Sequence, residues 1–129
     1  MIIMPYRYYN PNPARRTVDD CVVRAISILF NMSWLEAYDD IYLMGREIYN
    51  MPSANEVWGE YLHERGFVRV ALPDFCPNCY TISMFCKDHK KGRYAVATGS
   101  HVVAVIDGYY YDTNNSGDEA VAYYWKGMD

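Results

Sequence analysis

Residues 17–30, TVDDCVVRAISILF, carry Val22, Ala25, Ile26, Leu29 and Phe30 at the spacing of one helical face. Thr17 and Asp20 resemble a capping box, so the pattern predicts a helix with Cys21 in its first turn. Ser33 with Glu36 repeats that signature before a predicted helix at 34–45, and Ser53 with Glu56 before a third that stops at Gly66. Beyond Gly66 the pattern changes. FVRVAL (67–72), RYAVAT (93–98), HVVAVI (101–106), YYYDT (109–113) and VAYYW (121–125) are rich in Val and Tyr, are bounded by turn residues, and predict strands. Helices followed by strands imply an α+β domain whose N-terminal helices pack on a mainly antiparallel sheet. Residues 1–16, ending in YNPNPARR, predict an extended arm, because Pro11 and Pro13 hold their predecessors out of the helical region.

The strand pair HVVAVIDGYYYDT has a sharper implication. Asp107-Gly108 between two apolar runs is the signal for a two-residue primed turn. Ile106 then faces Tyr109 and His101 stands opposite Asn114, with Asp112 as the diagonal neighbour within reach of His101.

Length and charge narrow the function classes. A chain of 129 residues predicts one domain spanning 1–129. Its net charge of -4 argues against a nucleic-acid partner, since phosphate contacts need a surplus of Lys and Arg. The basic run KDHKKGR (87–93) reads as a solvated loop. No segment is apolar for long enough to span a membrane and MIIMPYRYY does not read as a secretory signal, so the expected location is cytoplasmic, with no membrane partner. The 14 tyrosines suit either the outer core or the walls of a cleft.

The loop at 74–91 contains CPNCYTISMFCKDH and is long enough to need support of its own. Cys76 and Cys79 form a CxxC, and Cys86 and His89 a CxxH soon after, a ligand set that suits tetrahedral zinc. A short helix over 81–89 would aim Cys86 and His89 at one point. Four protein ligands close the coordination sphere, so the expected cofactor is structural zinc. A redox CxxC would have no use for the CxxH, and disulfides need an oxidising compartment. DTNNSGDEA (112–120) begins like a calcium loop, but its twelfth position is Tyr123 where a bidentate Glu is required.

Once those ligands are set aside, Cys21 is the one remaining cysteine, with His63 and His101 the remaining histidines. His63 lies near a helix end, where histidine is usually solvated, and His101 opens a strand after the Gly99-Ser100 turn. By position alone, Cys21 reads equally as a small buried residue and as a nucleophile. A helix N-terminus and a nearby imidazolium would favour the thiolate, whereas Asp19 and Asp20 pull the other way.

The segments VDDCVVRA, SHVVAVIDG and YYDT, in that order, resemble the motifs of papain-like cysteine peptidases, in particular the compact bacteriocin-leader peptidase domains. YNPNP, DCVVRAI, CPNCYT and GSHVVAV are also similar to segments of small proteins from gut bacteria and their phages. The resemblance implies a papain-like fold with Cys21 as nucleophile, His101 as base and Asp112 as orienting residue. It implies a cysteine peptidase or related thiol amidohydrolase acting on a peptide or protein substrate, recognised through the aromatic arm and the zinc loop. One departure is plain. Papain-like peptidases carry a Gln a few residues before the cysteine to bind the oxyanion, and this chain contains none. Asn10 and Asn12 are the candidate substitutes, since an Asn amide is an equivalent donor. The alternative is a degenerate papain-like binding or inhibitor module, phage-encoded and acting on a host protein.

Overall fold

The computed structural model describes residues 4–72 and 80–128. In chain order the elements are β1 (Tyr6–Tyr8), α1 (Cys21–Leu29), α2 (Trp34–Glu47), α3 (Asn55–Glu64), β2 (Val68–Ala71), α4 (Ile82–Asp88), β3 (Arg93–Ala97), β4 (Val102–Ile106), β5 (Tyr109–Asp112) and β6 (Tyr123–Lys126). The strands form one six-stranded sheet in the order β1-β5-β4-β3-β6-β2. All pairs are antiparallel except β1 with β5, so the α+β class is observed, with a mixed sheet.

The nearly continuous apolar runs of β3 and β4 follow from burial on both faces. Ala95, Ala97, Val102 and Ala104 join the core shared with α1, α2 and α3, where Ile26, Leu29, Ile41, Val57 and Leu62 pack. The three alanines leave room for α1 to lie directly over the central strands. Tyr94, Val96, Val103, Val105 and Tyr110 face the other side, under Ile82, Phe85 and Cys86 of α4.

The hairpin register matches expectation: Ile106 pairs with Tyr109, Val105 with Tyr110 and Ala104 with Tyr111. Asp107 (φ 50°) and Gly108 (φ 85°) take the left-handed conformations of a primed turn. Pairing ends at Ala104, so the expected His101–Asn114 opposition falls beyond the ladder. The arm is also tied down more firmly than an extended tail. Tyr6 aligns with Tyr110 and Tyr8 with Asp112, which makes β1 an edge strand of the sheet.

Of the three expected capping boxes only Ser33–Glu36 forms: Ser33 Oγ accepts from Glu36 N, and Glu36 Oε1 accepts from Ser33 N, each at 3.0 Å. α1 begins after Asp20 with no side-chain cap, because the Asp20 carboxylate is engaged by Arg24 and Trp34. α3 starts at Asn55 with Ala54 as its uncapped N-cap, since a turn from Met51 O to Ala54 N carries the chain past Ser53. Gly66 (φ 87°) ends α3 as expected. Among the described residues, no helix is long and apolar enough to cross a membrane.

Candidate active site

Cys21 is the first residue of α1, and the helix's first backbone bond runs from Arg24 N to Asp20 O. The Cys21 N–H therefore lies among the helix-start donors that have no intrahelical acceptor. The cysteine is half-buried. Across from it, His101 leads into β4 from a turn closed by Thr98 N donating to His101 O at 2.8 Å. His101 Nε2 lies 2.7 Å from Asp112 Oδ2. Asp112, and after it Cys21, are the two largest influences on the charge of His101. Since Nε2 serves Asp112, Nδ1 is the ring nitrogen left for another partner.

Asp112 ends β5 and is 1% exposed. Its carboxylate meets His101, Ser116 Oγ at 2.6 Å, Thr113 N at 2.7 Å and Arg24 Nη2 at 3.2 Å. Its carbonyl accepts from Tyr9 N at 2.9 Å and Tyr6 Oη at 3.2 Å, so the arm braces the acid's backbone as well. Arg24, also buried, forms an ion pair with Asp20, which accepts from Trp34 Nε1 at 2.8 Å. With His101 protonated, Asp20, Arg24, Asp112 and His101 sum to zero charge, an arrangement that a low-dielectric site tolerates. Arg24 thus offsets Asp20, and Asp19 is exposed.

Asp112 and Cys21 push the His101 pKa up to about 10, against a burial effect that acts downward. For Asp112, burial raises the pKa, but hydrogen bonds from His101 and Ser116, the His101 charge and the Thr113 N–H bring it below the usual carboxylate range. A histidine held above its unfolded value of about 6.5 stabilises the fold fully below that pH and loses the contribution as pH rises toward the folded value. Asp112 acts in the opposite sense, stabilising above its unfolded value of about 3.9 and failing as pH falls through its lowered one. With Cys21 as the thiolate, the proton it releases on folding offsets the one His101 takes up between about pH 6.5 and 8.5, so the thermal-unfolding midpoint is expected to fall only from about pH 8.5 toward 10. His101→Gln should flatten that slope. The tyrosines whose pKa burial raises, Tyr6, Tyr61, Tyr80, Tyr110 and Tyr123, act only at higher pH.

Cys21 and His101 open onto a cleft of about 100 Å³ whose walls include Ser53, Asn55, Trp58 and Thr98. A larger hollow of about 860 Å³ lies at the end of α2, between Tyr42 and Pro52, but it is lined by no cysteine, histidine or serine. The Cys21–His101 pair therefore borders the smaller cleft.

The structure thus brings Cys21, His101 and Asp112 together, and it separates the other candidates from them. Asn10 Oδ1 accepts from Asn12 N at 3.2 Å and its Nδ2 donates to Arg16 O at 3.3 Å, while Asn12 Oδ1 accepts from Ala14 N at 2.9 Å. Both amides brace the arm's own turns and neither lines the cleft, so the expectation that they replace the missing Gln is not met. Of the expected zinc ligands, Cys76 and Cys79 lie outside the described residues. Cys86 is buried among Ile82, Phe85 and Tyr94, and burial pushes its thiol up to about 12. His89 stacks on Phe85, with Nδ1 2.9 Å from Phe85 O. Among the described residues no group of three or more His, Cys, Asp or Glu is placed to hold a metal.

Arg24, Ser116, Trp34 and Asn55 were not singled out by the sequence. Arg24 did leave a signal, a lone charge inside the apolar run Val22–Leu29, four residues after an aspartate. Comparison with known proteins gives no match to this chain, whether among family models, curated proteins or solved structures.

Proposed function

We propose that the protein is a papain-like thiol hydrolase that cleaves an amide or related acyl bond. The observation that carries this reading is His101, hydrogen-bonded to buried Asp112 and bordering one cleft with Cys21. A nucleophile on the first helix, with its base just before β4 and its acid at the end of the neighbouring β5, supports the papain-like assignment.

In the reaction, the Cys21 thiolate attacks the substrate carbonyl carbon, and the carbonyl electron pair moves onto oxygen. His101, oriented and kept protonated by Asp112, gives its proton to the departing amine as the C–N bond breaks. Neutral His101 then takes a proton from water, whose oxygen attacks the thioester and releases acid and enzyme.

4-Nitrophenyl acetate tests the reading without knowledge of the natural substrate. One equivalent of 4-nitrophenolate is expected in a fast phase, with acetyl on the Cys21 peptide and none on Cys21→Ala. Equal release from Cys21→Ala would contradict the proposal.

We further propose that Cys76, Cys79, Cys86 and His89 hold one structural zinc ion. The bond between His89 Nδ1 and a backbone carbonyl supports this, because that arrangement commonly leaves Nε2 to the metal. Metal analysis is expected to return one zinc per chain, and less in Cys79→Ser; a metal-free protein would contradict it.

A further inference from the structure

An acyl transfer through Cys21 develops negative charge on the former carbonyl oxygen, and the Cys21 backbone N–H supplies only one donor for it. We propose that Asn55 supplies the second donor, through Nδ2; the inference rests on the thiol-hydrolase reading above.

Three observations carry it. Asn55 borders the same cleft as Cys21 and His101, and at about 100 Å³ that cleft is small. It has room for about three water molecules at ~30 Å³ each, so a carbonyl bonded to Cys21 stays close to its walls. Trp58 Nε1 donates to Asn55 Oδ1 at 3.1 Å. An indole N–H can only donate, so that side of the amide must be oxygen, which leaves the NH₂ group as the free end. Trp58 is itself 3% exposed and stacked against Tyr123, so the amide is held by a fixed partner before substrate arrives. Such preorganisation is what makes an oxyanion donor effective.

Three other candidate donors are engaged elsewhere. Asn10 and Asn12 are committed within the arm. The Thr98 hydroxyl is engaged by His101 O at 3.4 Å and by Glu119 Oε1 at 3.2 Å.

Two reactions of one sulfur separate this role from a general effect on Cys21. With 4-nitrophenyl acetate, Sγ forms a bond to the carbonyl carbon and the oxygen becomes an oxyanion. Collapse then breaks the ester C–O bond, and 4-nitrophenolate leaves with the electron pair. With iodoacetamide, Sγ displaces iodide from a saturated carbon and no oxyanion forms. Asn55 is exposed, so the full chain is expected to tolerate Asn55→Ala. In that variant acetylation of Cys21 is expected to slow by about 10²-fold. Alkylation should stay within about twofold of the parent rate, since it draws on no oxyanion donor. Trp58→Phe keeps a ring and removes the donor that orients the amide; it should slow acetylation less, again sparing alkylation. Unchanged acetylation in Asn55→Ala would overturn the assignment, as would an equal loss of both reactions. Failure of the parent protein to acetylate at Cys21 would instead overturn the thiol-hydrolase reading and this inference with it.

Discussion

Arg24→Met is expected to destabilise the fold by about 3–5 kcal/mol, the usual cost of stranding buried charges. The change keeps much of the apolar stem but removes the cation that meets both Asp20 and Asp112. Those aspartates are 7% and 1% exposed, so water cannot replace the guanidinium without the site opening. Arg24→Lys keeps the charge yet loses the planar fork that spans two carboxylates, so a smaller loss is expected. Adding Asp20→Asn to Arg24→Met should recover part of the stability, because it removes one stranded charge; a double-mutant cycle in urea reads that coupling. Strictly additive losses would contradict the buried network.

His101→Ala is expected to slow Cys21 acetylation and the subsequent hydrolysis by about 10²–10⁴-fold, the range for loss of a positioned acid–base group. Unlike Arg24→Met, it removes a cation whose partner Asp112 still keeps Arg24, Ser116 and Thr113 as donors. The chemistry should therefore fail while the protein still folds. A stopped-flow trace of 4-nitrophenolate release, with circular dichroism on the same sample, separates the two effects.

The sequence disclosed the pieces of this site unevenly, according to how local each signal is. The Asp107-Gly108 turn specifies its own register within a few residues, so the approach of Asp112 to His101 could be counted out along the hairpin. Ser33–Glu36 is equally local, and it forms. Thr17–Asp20 has the same appearance and fails, because Asp20 makes stronger bonds to Arg24 and to Trp34, which lies on the next helix. The arm conceals its strand for a related reason. Three residues display no alternation, and the pairing of Tyr8 with Asp112 joins positions about a hundred residues apart. Asn55 was hidden by the misplaced third cap. With Ser53 as N-cap, Asn55 reads as an ordinary first-turn residue; with the helix starting at Asn55, its amide borders the cleft.

If Cys21 and His101 act as one unit, the pH profile of iodoacetamide alkylation at Cys21 will show it. An ordinary thiol with a pKa of about 8.5 is only ~0.3% thiolate at pH 6, and its rate climbs about tenfold per pH unit. A nearly flat profile from about pH 6 to 8 is expected in the parent protein. The steep climb is expected in His101→Ala, with a rate at pH 6 about tenfold below the parent, the gain in thiolate being partly offset by its lower intrinsic nucleophilicity. A steep climb in both proteins would contradict the pairing: Cys21 would then be an ordinary cysteine and the fold a binding module.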